Sequence, residues 1–110
     1  MAVKNILNGA TNTSADTIEV FYKSPESGEG TLITKFSASN DLTESRSFKV
    51  YIYDSSGAAV AAVQPQKIVV RDRFDLAGGV VGHLIPSGGT LRMQCSNVPG
   101  LSFTVTGDEL

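Results

Sequence analysis

Segments that fit β-strands recur about every ten residues along this 110-residue chain, separated by clusters of Gly, Pro, Ser, Asn and Asp. No helix-length stretch shows apolar residues at the three-to-four-residue spacing of an amphipathic helix. Short, evenly spaced strands with turn residues between them are typical of an antiparallel sandwich or barrel. The pattern therefore predicts an all-β fold of about eight antiparallel strands, a jelly-roll-like or Ig-like sandwich forming a single domain over residues 1–110.

Alternation of apolar and polar residues marks the expected strands. In chain order we expect them at residues 3–7, 16–23, 31–40, 48–53, 58–63, 67–73, 91–96 and 101–106. The Ala-rich segment 58–63 is compatible with a helix as well as with a strand. We expect Asn8-Gly9 to form a turn after the first strand, Gln64-Pro65 to break the chain after the fifth, and the last two strands to form a hairpin.

The phase of each alternation predicts which side chains share a face. In the segments 48–53 and 67–73 we expect these side chains to point inward: Phe48, Val50, Ile52, Ile68 and Val70. The side chains expected to point outward from 48–53 are Lys49, Tyr51 and Tyr53. In 31–40 the alternation predicts one face with Leu32, Thr34, Phe36 and Ala38, and the other with Ile33 and Lys35.

Cys95 is the only cysteine, so no internal disulfide can form, which suits a protein made in a reducing cytosol. It alternates in phase with Leu91 and Met93. This phase predicts a buried position in which the thiol packs as a small hydrophobic group. The alternative, a reactive thiol, would need a nearby base.

Residues with catalytic or metal-binding chemistry are few. His83 is the only histidine, and it lies at the end of a Gly-rich stretch where we expect a structural or solvent-facing role. The loop 41–45 lacks the ligand spacing and the Gly of a calcium loop. The glycines Gly78, Gly79 and Gly82 fit no nucleotide fingerprint and instead predict a bulge, a bend or a close approach by another backbone. We therefore expect no catalytic residue, no metal and no cofactor.

The charge balance bears on the partners. Nine basic and eleven acidic side chains give a formal net charge of −2. Lys67, Arg71 and Arg73 are interspersed with acidic residues, which favours a solvated mixed-charge strand over a nucleic-acid site. Residues 1–8 lack the apolar stretch of a signal peptide, and no segment is long enough to span a membrane. Hence neither nucleic acid nor a membrane is expected as a partner.

Tyr51 and Tyr53 are the most suggestive residues. They lie two positions apart in the clearest strand, so they project from the same outward face. Neighbouring exposed tyrosines are enriched at protein interfaces, and they can also stack on sugar rings. A third possibility is that loops cover them, or that the sheets pack the other way round.

The order of five segments resembles the small β-sandwich virion proteins of tailed bacteriophages. The segments are Val-Phe-Tyr-Lys-Ser-Pro (20–25), Gly-Thr-Leu-Ile-Thr-Lys-Phe-Ser-Ala-Ser-Asn (30–40), Phe-Lys-Val-Tyr-Ile-Tyr-Asp (48–54), Leu-Ile-Pro-Ser-Gly-Gly-Thr-Leu-Arg-Met-Gln (84–94) and Leu-Ser-Phe-Thr-Val-Thr-Gly-Asp-Glu-Leu (101–110). The stretch 58–82 departs from that pattern because it is longer and richer in Gly.

The resemblance implies a non-enzymatic structural protein of the virion, assembled in the host cytoplasm. Its most specific implication is a capsid decoration or cement protein, a homodimer or homotrimer that bridges subunits of the major capsid protein lattice. The alternatives are a head–tail connector, a tail-fibre component, and a glycan- or receptor-binding module. The candidate interface residues are Tyr51 and Tyr53 together with Asp108, Glu109 and Leu110, whose terminal strand would form a capsid-facing edge.

Overall fold

The computed structural model describes residues 2–110, with side chains at 3–58 and 63–110. Within these residues the chain forms nine strands in two packed antiparallel sheets, so the predicted all-β sandwich is confirmed. The strands are β1 (Ala2–Ala10), β2 (Glu19–Lys23), β3 (Thr31–Asn40), β4 (Arg46–Tyr53), β5 (Ala59–Val69), β6 (Arg73–Asp75), β7 (Leu84–Ile85), β8 (Thr90–Cys95) and β9 (Ser102–Glu109). No helix that could cross a membrane occurs in this described part.

One sheet has the order β1-β9-β3-β6, with β7 pairing to the first residues of β3, and the other has the order β2-β8-β4-β5. The last two long strands, β8 and β9, therefore lie in different sheets and do not pair with each other. The expected terminal hairpin is wrong, because alternation predicts a strand but not its partner. The link between them, residues 96–101, instead carries the chain from one sheet to the other.

The core lies between the two sheets and is centred on aromatic rings. The ring centroid of Phe103 lies 5.5 Å from that of Phe21, 6.0 Å from that of Phe36 and 5.8 Å from that of Phe48. Burying each such ring contributes about 1.5–3 kcal/mol. The inward positions predicted for Phe48, Val50, Ile52 and Cys95 are confirmed, since all four are buried.

A bulge in β3 changes the face that its residues share. The pairing with β9 shifts between Ile33 and Lys35, so Ile33 is fully buried in the first half, and Phe36 and Ala38 in the second. The prediction that Leu32 shares a face with Phe36 is therefore wrong. One inserted residue moves all later side chains of a strand to the opposite face.

Asn8-Gly9 lies inside β1 and does not form a turn. The register with β9 shifts between Asn8 and Ala10, and Gly9 has a φ of 71°. This positive φ, which glycine adopts without steric cost, provides the extra residue of a bulge.

Strand β5 continues through Gln64-Pro65, where a break was expected. Pro65 is tolerated because β5 is an edge strand of its sheet. Ile68 and Val70 are 65% and 49% exposed, whereas Val69 is buried, so the predicted inward face is wrong. The pairing of β5 with β4 shifts at three places, which alters the phase of the alternation.

The Gly-rich segment between β6 and β7 covers the core on the side where these two strands lie. Ala77 and Val80 are buried, and a Cβ built on Gly79 would lie 3.4 Å from the carbonyl oxygen of Val63. This is an ordinary van der Waals contact, and Gly78 and Gly82 have nothing within 4 Å of their Cβ positions. Of the alternatives that the glycines left open, the turns at 78–82, with Gly82 at a φ of 94°, correspond to a bend. His83, as expected, is exposed.

Candidate functional site on the outer face of the four-stranded sheet

Strands β4 and β8 lie side by side in the middle of the four-stranded sheet, and their outward side chains form one patch. Directly opposite pairs are Lys49 with Gln94, Tyr51 with Arg92, and Tyr53 with Thr90. Their strand neighbours point into the core, so these six half-buried residues all face away from it. We name this patch the tyrosine face, and it consists of Lys49, Tyr51, Tyr53, Thr90, Arg92 and Gln94.

Arg92 is held over Tyr53. The guanidinium carbon lies 3.9 Å from the centroid of the tyrosine ring, within the range of a cation–π interaction. The Arg92 Nε donates a hydrogen bond to Thr90 Oγ1 at 2.9 Å, which fixes the plane of the guanidinium group. The side chain therefore has a defined position before anything binds to it.

Tyr51 is held more loosely. Its hydroxyl donates a long hydrogen bond of 3.4 Å to Gln94 Oε1. The amide nitrogen of Gln94 in turn donates to the carbonyl oxygen of Asp16 at 3.1 Å, which ties the loop before β2 to this face. The nearby depression, lined in part by Lys49 and Ser96, has a volume of only about 50 Å³. This depression is far smaller than the pockets that hold small molecules.

Exposed apolar side chains flank the tyrosine face. Val20 on β2 lies opposite Arg92 and is 55% exposed. Ile68 on β5 lies opposite Ser47, whose side chain points outward beside the same patch. Tyr and Arg surrounded by apolar contacts are the residues that dominate binding energy at protein interfaces. Sequence reasoning missed Arg92, because its role depends on the pairing of β8 with β4.

The terminal residues do not form an edge, because β9 is paired on both sides, with β1 and with β3. The edge predicted for them is therefore wrong. Leu110 is held by its backbone: its N–H donates to the Gly30 carbonyl at 2.9 Å, and its carbonyl accepts from the Glu29 N–H at 3.2 Å. These two bonds fasten the end of the chain to the loop before β3.

Glu109 is engaged inside the molecule. Its Oε1 lies 2.7 Å from Lys4 Nζ, and its Oε2 accepts a hydrogen bond from the Tyr22 hydroxyl. These two donors lower the pKa of Glu109 below its ordinary value. Burial, followed by the hydrogen bond to Glu109, raises the pKa of Tyr22 to about 12.

Asp108 points outward from the five-stranded sheet, away from the tyrosine face. It lies opposite Val3 on β1 and Leu32 on β3. Its Oδ1 is enclosed and has no hydrogen-bond partner among the described residues. The five predicted interface residues are thus divided: Tyr51 and Tyr53 belong to one outer face, Asp108 to the other, and the last two residues to the end of the sandwich.

Comparisons with protein-family models, with curated proteins and with solved structures give no match for this chain. Within the described residues, no group of three or more His, Cys, Asp and Glu side chains is placed to hold a metal ion.

Proposed function

We propose that this chain is a non-enzymatic structural protein of a bacteriophage virion, a decoration protein that binds the major capsid protein lattice through its tyrosine face. The observation that carries the proposal is the arrangement of Arg92 over Tyr53 on the outer face of the four-stranded sheet, flanked by the exposed Val20 and Ile68. The order of the sequence segments, which resembles virion proteins, supplies the virion context.

The energetics favour such a face as a binding surface. When a protein docks on a preformed lattice, each side chain that was free before contact loses conformational entropy. For a long side chain this loss costs about 0.5–1.5 kcal/mol of binding free energy. Arg92 is already held by Tyr53 and Thr90, so much of that cost has been met during folding. Burial of the flanking apolar groups then adds about 25 cal/mol for each Å². Binding of this kind stabilises a shell by bridging its subunits and involves no turnover.

The alternatives differ from this proposal in measurable ways. A head–tail connector would be present in about a dozen copies per particle, whereas a decoration protein would be present in the order of hundreds, as shell symmetry requires. A sugar would have to stack on the open side of a tyrosine ring. Arg92 already covers one side of the Tyr53 ring. One face of the Tyr53 ring is therefore closed to a sugar, whereas a protein partner can also contact Arg92 and the flanking apolar groups.

The test is to mix the purified protein with heads of its own phage that lack it. We expect saturable co-sedimentation and an increased temperature of shell disruption. Arg92→Ala and Tyr53→Ala should each weaken binding at least about tenfold, the effect of an interface hot spot. Thr43→Ala, in the exposed loop between β3 and β4, is the control and should bind like the unaltered protein. Absence of saturable binding by the unaltered protein contradicts the proposal.

A further inference from the structure

The outer face of the five-stranded sheet differs in character from the tyrosine face, since most of its side chains are uncharged hydroxyls and amides. We name it the hydroxyl face. The outward residues that define it are Val3, Asn5, Asn8, Leu32, Thr34, Lys35, Ser37, Ser39, Ser102, Thr104, Thr106 and Asp108. An antiparallel sheet with one face in water carries polar side chains on that face, and the centres of interfaces are depleted of charged ones. The scarcity of charges on the hydroxyl face therefore removes one obstacle to covering it with a partner.

Exposed apolar side chains border the hydroxyl face. Phe74 on β6 lies opposite Ser39 and is 66% exposed, and Leu84 on β7 lies opposite Leu32. Leu76 and Val81 form one wall of a groove of about 610 Å³ whose other walls include hydroxyl-face residues of β3 and β9. Apolar surface of this extent beside a sheet face with few charges is typical of an interaction site.

The only charged side chains of the hydroxyl face are Lys35 and Asp108, which have opposite signs. Lys35 lies opposite Thr106, two positions along β9 from Asp108, so the two charges are close neighbours on the face. Among the described residues neither takes part in an ion pair. Asp108 also lies beside the apolar Val3 and Leu32, and apolar neighbours do not stabilise the negative charge of a carboxylate.

We infer that the partner on the hydroxyl face is a second copy of this chain, related by a two-fold axis, so that Lys35 of each copy meets Asp108 of the other. A two-fold interface brings a surface against itself and therefore requires self-complementarity. One positive and one negative group side by side satisfy this requirement, whereas a face with one sign of charge would repel its copy. The apolar border of each copy is covered by the same contact. This dimer leaves both tyrosine faces open, because they belong to the opposite sheet.

The inference is tested by sedimentation velocity over a range of protein concentrations. The unaltered chain should dimerise. Lys35→Asp and Asp108→Lys should each raise the dimer dissociation constant at least about tenfold, since each brings like charges together. An equimolar mixture of the two variants should recover the dimer, because each introduced charge then meets its opposite across the interface. A purely structural effect of either substitution would not be repaired by mixing.

Lys49→Asp is the matched control, because it makes the same charge change on the tyrosine face, and it should dimerise normally. If Asp108→Lys does not fold, as judged by circular dichroism, Ser37→Arg in the middle of the hydroxyl face decides the question. Dimerisation of Ser37→Arg at normal strength overturns the inference. So does a monomeric or trimeric unaltered chain, or a mixture that stays monomeric. Shell binding by Lys35→Asp, measured separately, shows whether the proposed virion function holds independently of the dimer.

Discussion

The hydroxyl of Tyr22 on β2 donates a hydrogen bond to the carboxylate of Glu109 on β9, and this contact joins the two sheets of the sandwich. The same hydroxyl lies 3.0 Å from Thr31 Oγ1, and Thr31 Oγ1 lies 2.8 Å from Ser24 Oγ. Lys4 on β1 holds the other oxygen of Glu109. A connected polar network thus holds the last strand in place where the core ends.

Tyr22→Phe should lower the free energy of unfolding by about 1–3 kcal/mol, because it removes the part-buried hydrogen bonds to Glu109, which is charged, and to Thr31. Urea denaturation measures this loss. Tyr51→Phe is the matched control, because its hydroxyl makes only a 3.4 Å bond at the surface, and it should change stability by less than about 0.5 kcal/mol. In alkaline titration followed by ultraviolet absorbance, Tyr22→Phe should also lose the component near pH 12. Equal losses for the two variants would contradict the role assigned to Tyr22.

Acid should weaken the fold partly through Glu19. Hydrogen bonds from the Thr13 hydroxyl and the Ser14 N–H, with others from Asn12 and the Thr13 N–H, lower the pKa of Glu19 from 4.5 to about 2. A lowered carboxylate pKa stabilises the folded state fully above about pH 4.5. That contribution should be lost as the pH falls from 4.5 toward 2.

Glu19→Gln should therefore be less stable than the unaltered chain at pH 7 and should lose less stability below pH 4.5. Urea unfolding at several pH values between 7 and 2 checks both parts. Glu29→Gln is the control for the chemical change itself, because the exposed Glu29 carboxylate makes no ion pair or hydrogen bond within the described residues, and it should be as stable as the unaltered chain at pH 7. If the free energy of unfolding of Glu19→Gln falls with decreasing pH as steeply as that of the unaltered chain, Glu19 does not stabilise the loop before β2.

Phe103→Ala should destabilise the protein by about 3–5 kcal/mol, because it removes a buried ring that contacts three others and leaves a cavity. Phe74→Ala is the same chemical change at an exposed position, and at dilute concentration it should cost less than about 0.5 kcal/mol. Thermal unfolding by calorimetry compares the two. A small effect at Phe103 would place the centre of the core elsewhere.

Gly28→Ala should loosen the end of the chain. Gly28 has a φ of 95°, and a Cβ at this position would overlap the carbonyl oxygen of Leu110. Gly57 has a φ of 86° with nothing within 4 Å of its Cβ position, so Gly57→Ala incurs only the backbone cost of about 1 kcal/mol or more. Gly28→Ala should be clearly the more destabilising of the two. Hydrogen exchange should show faster exchange of the Glu29 and Leu110 amides in that variant alone.

Several strands could be predicted closely from the sequence, because alternation is a local property. The span 31–40 matches β3, and 48–53 lies within β4. Errors occurred where a bulge changed the phase, as between Ile33 and Lys35, or where an edge strand accepted Pro65. For the candidate site, the outward positions of Tyr51 and Tyr53 could be predicted, but the contact of Arg92 with Tyr53 could not, because the two residues lie far apart in the chain.

By itself, the sequence determined the all-β class, most strand positions and the buried place of Cys95, because a period of two requires one buried face. The tertiary structure alone decided that β9 lies between β1 and β3, that β8 pairs with β4, and that Tyr22 reaches Glu109. The physical reason is that strand pairing is a long-range choice. Many pairings bury the same apolar residues, and only the packing of both sheets together selects one of them.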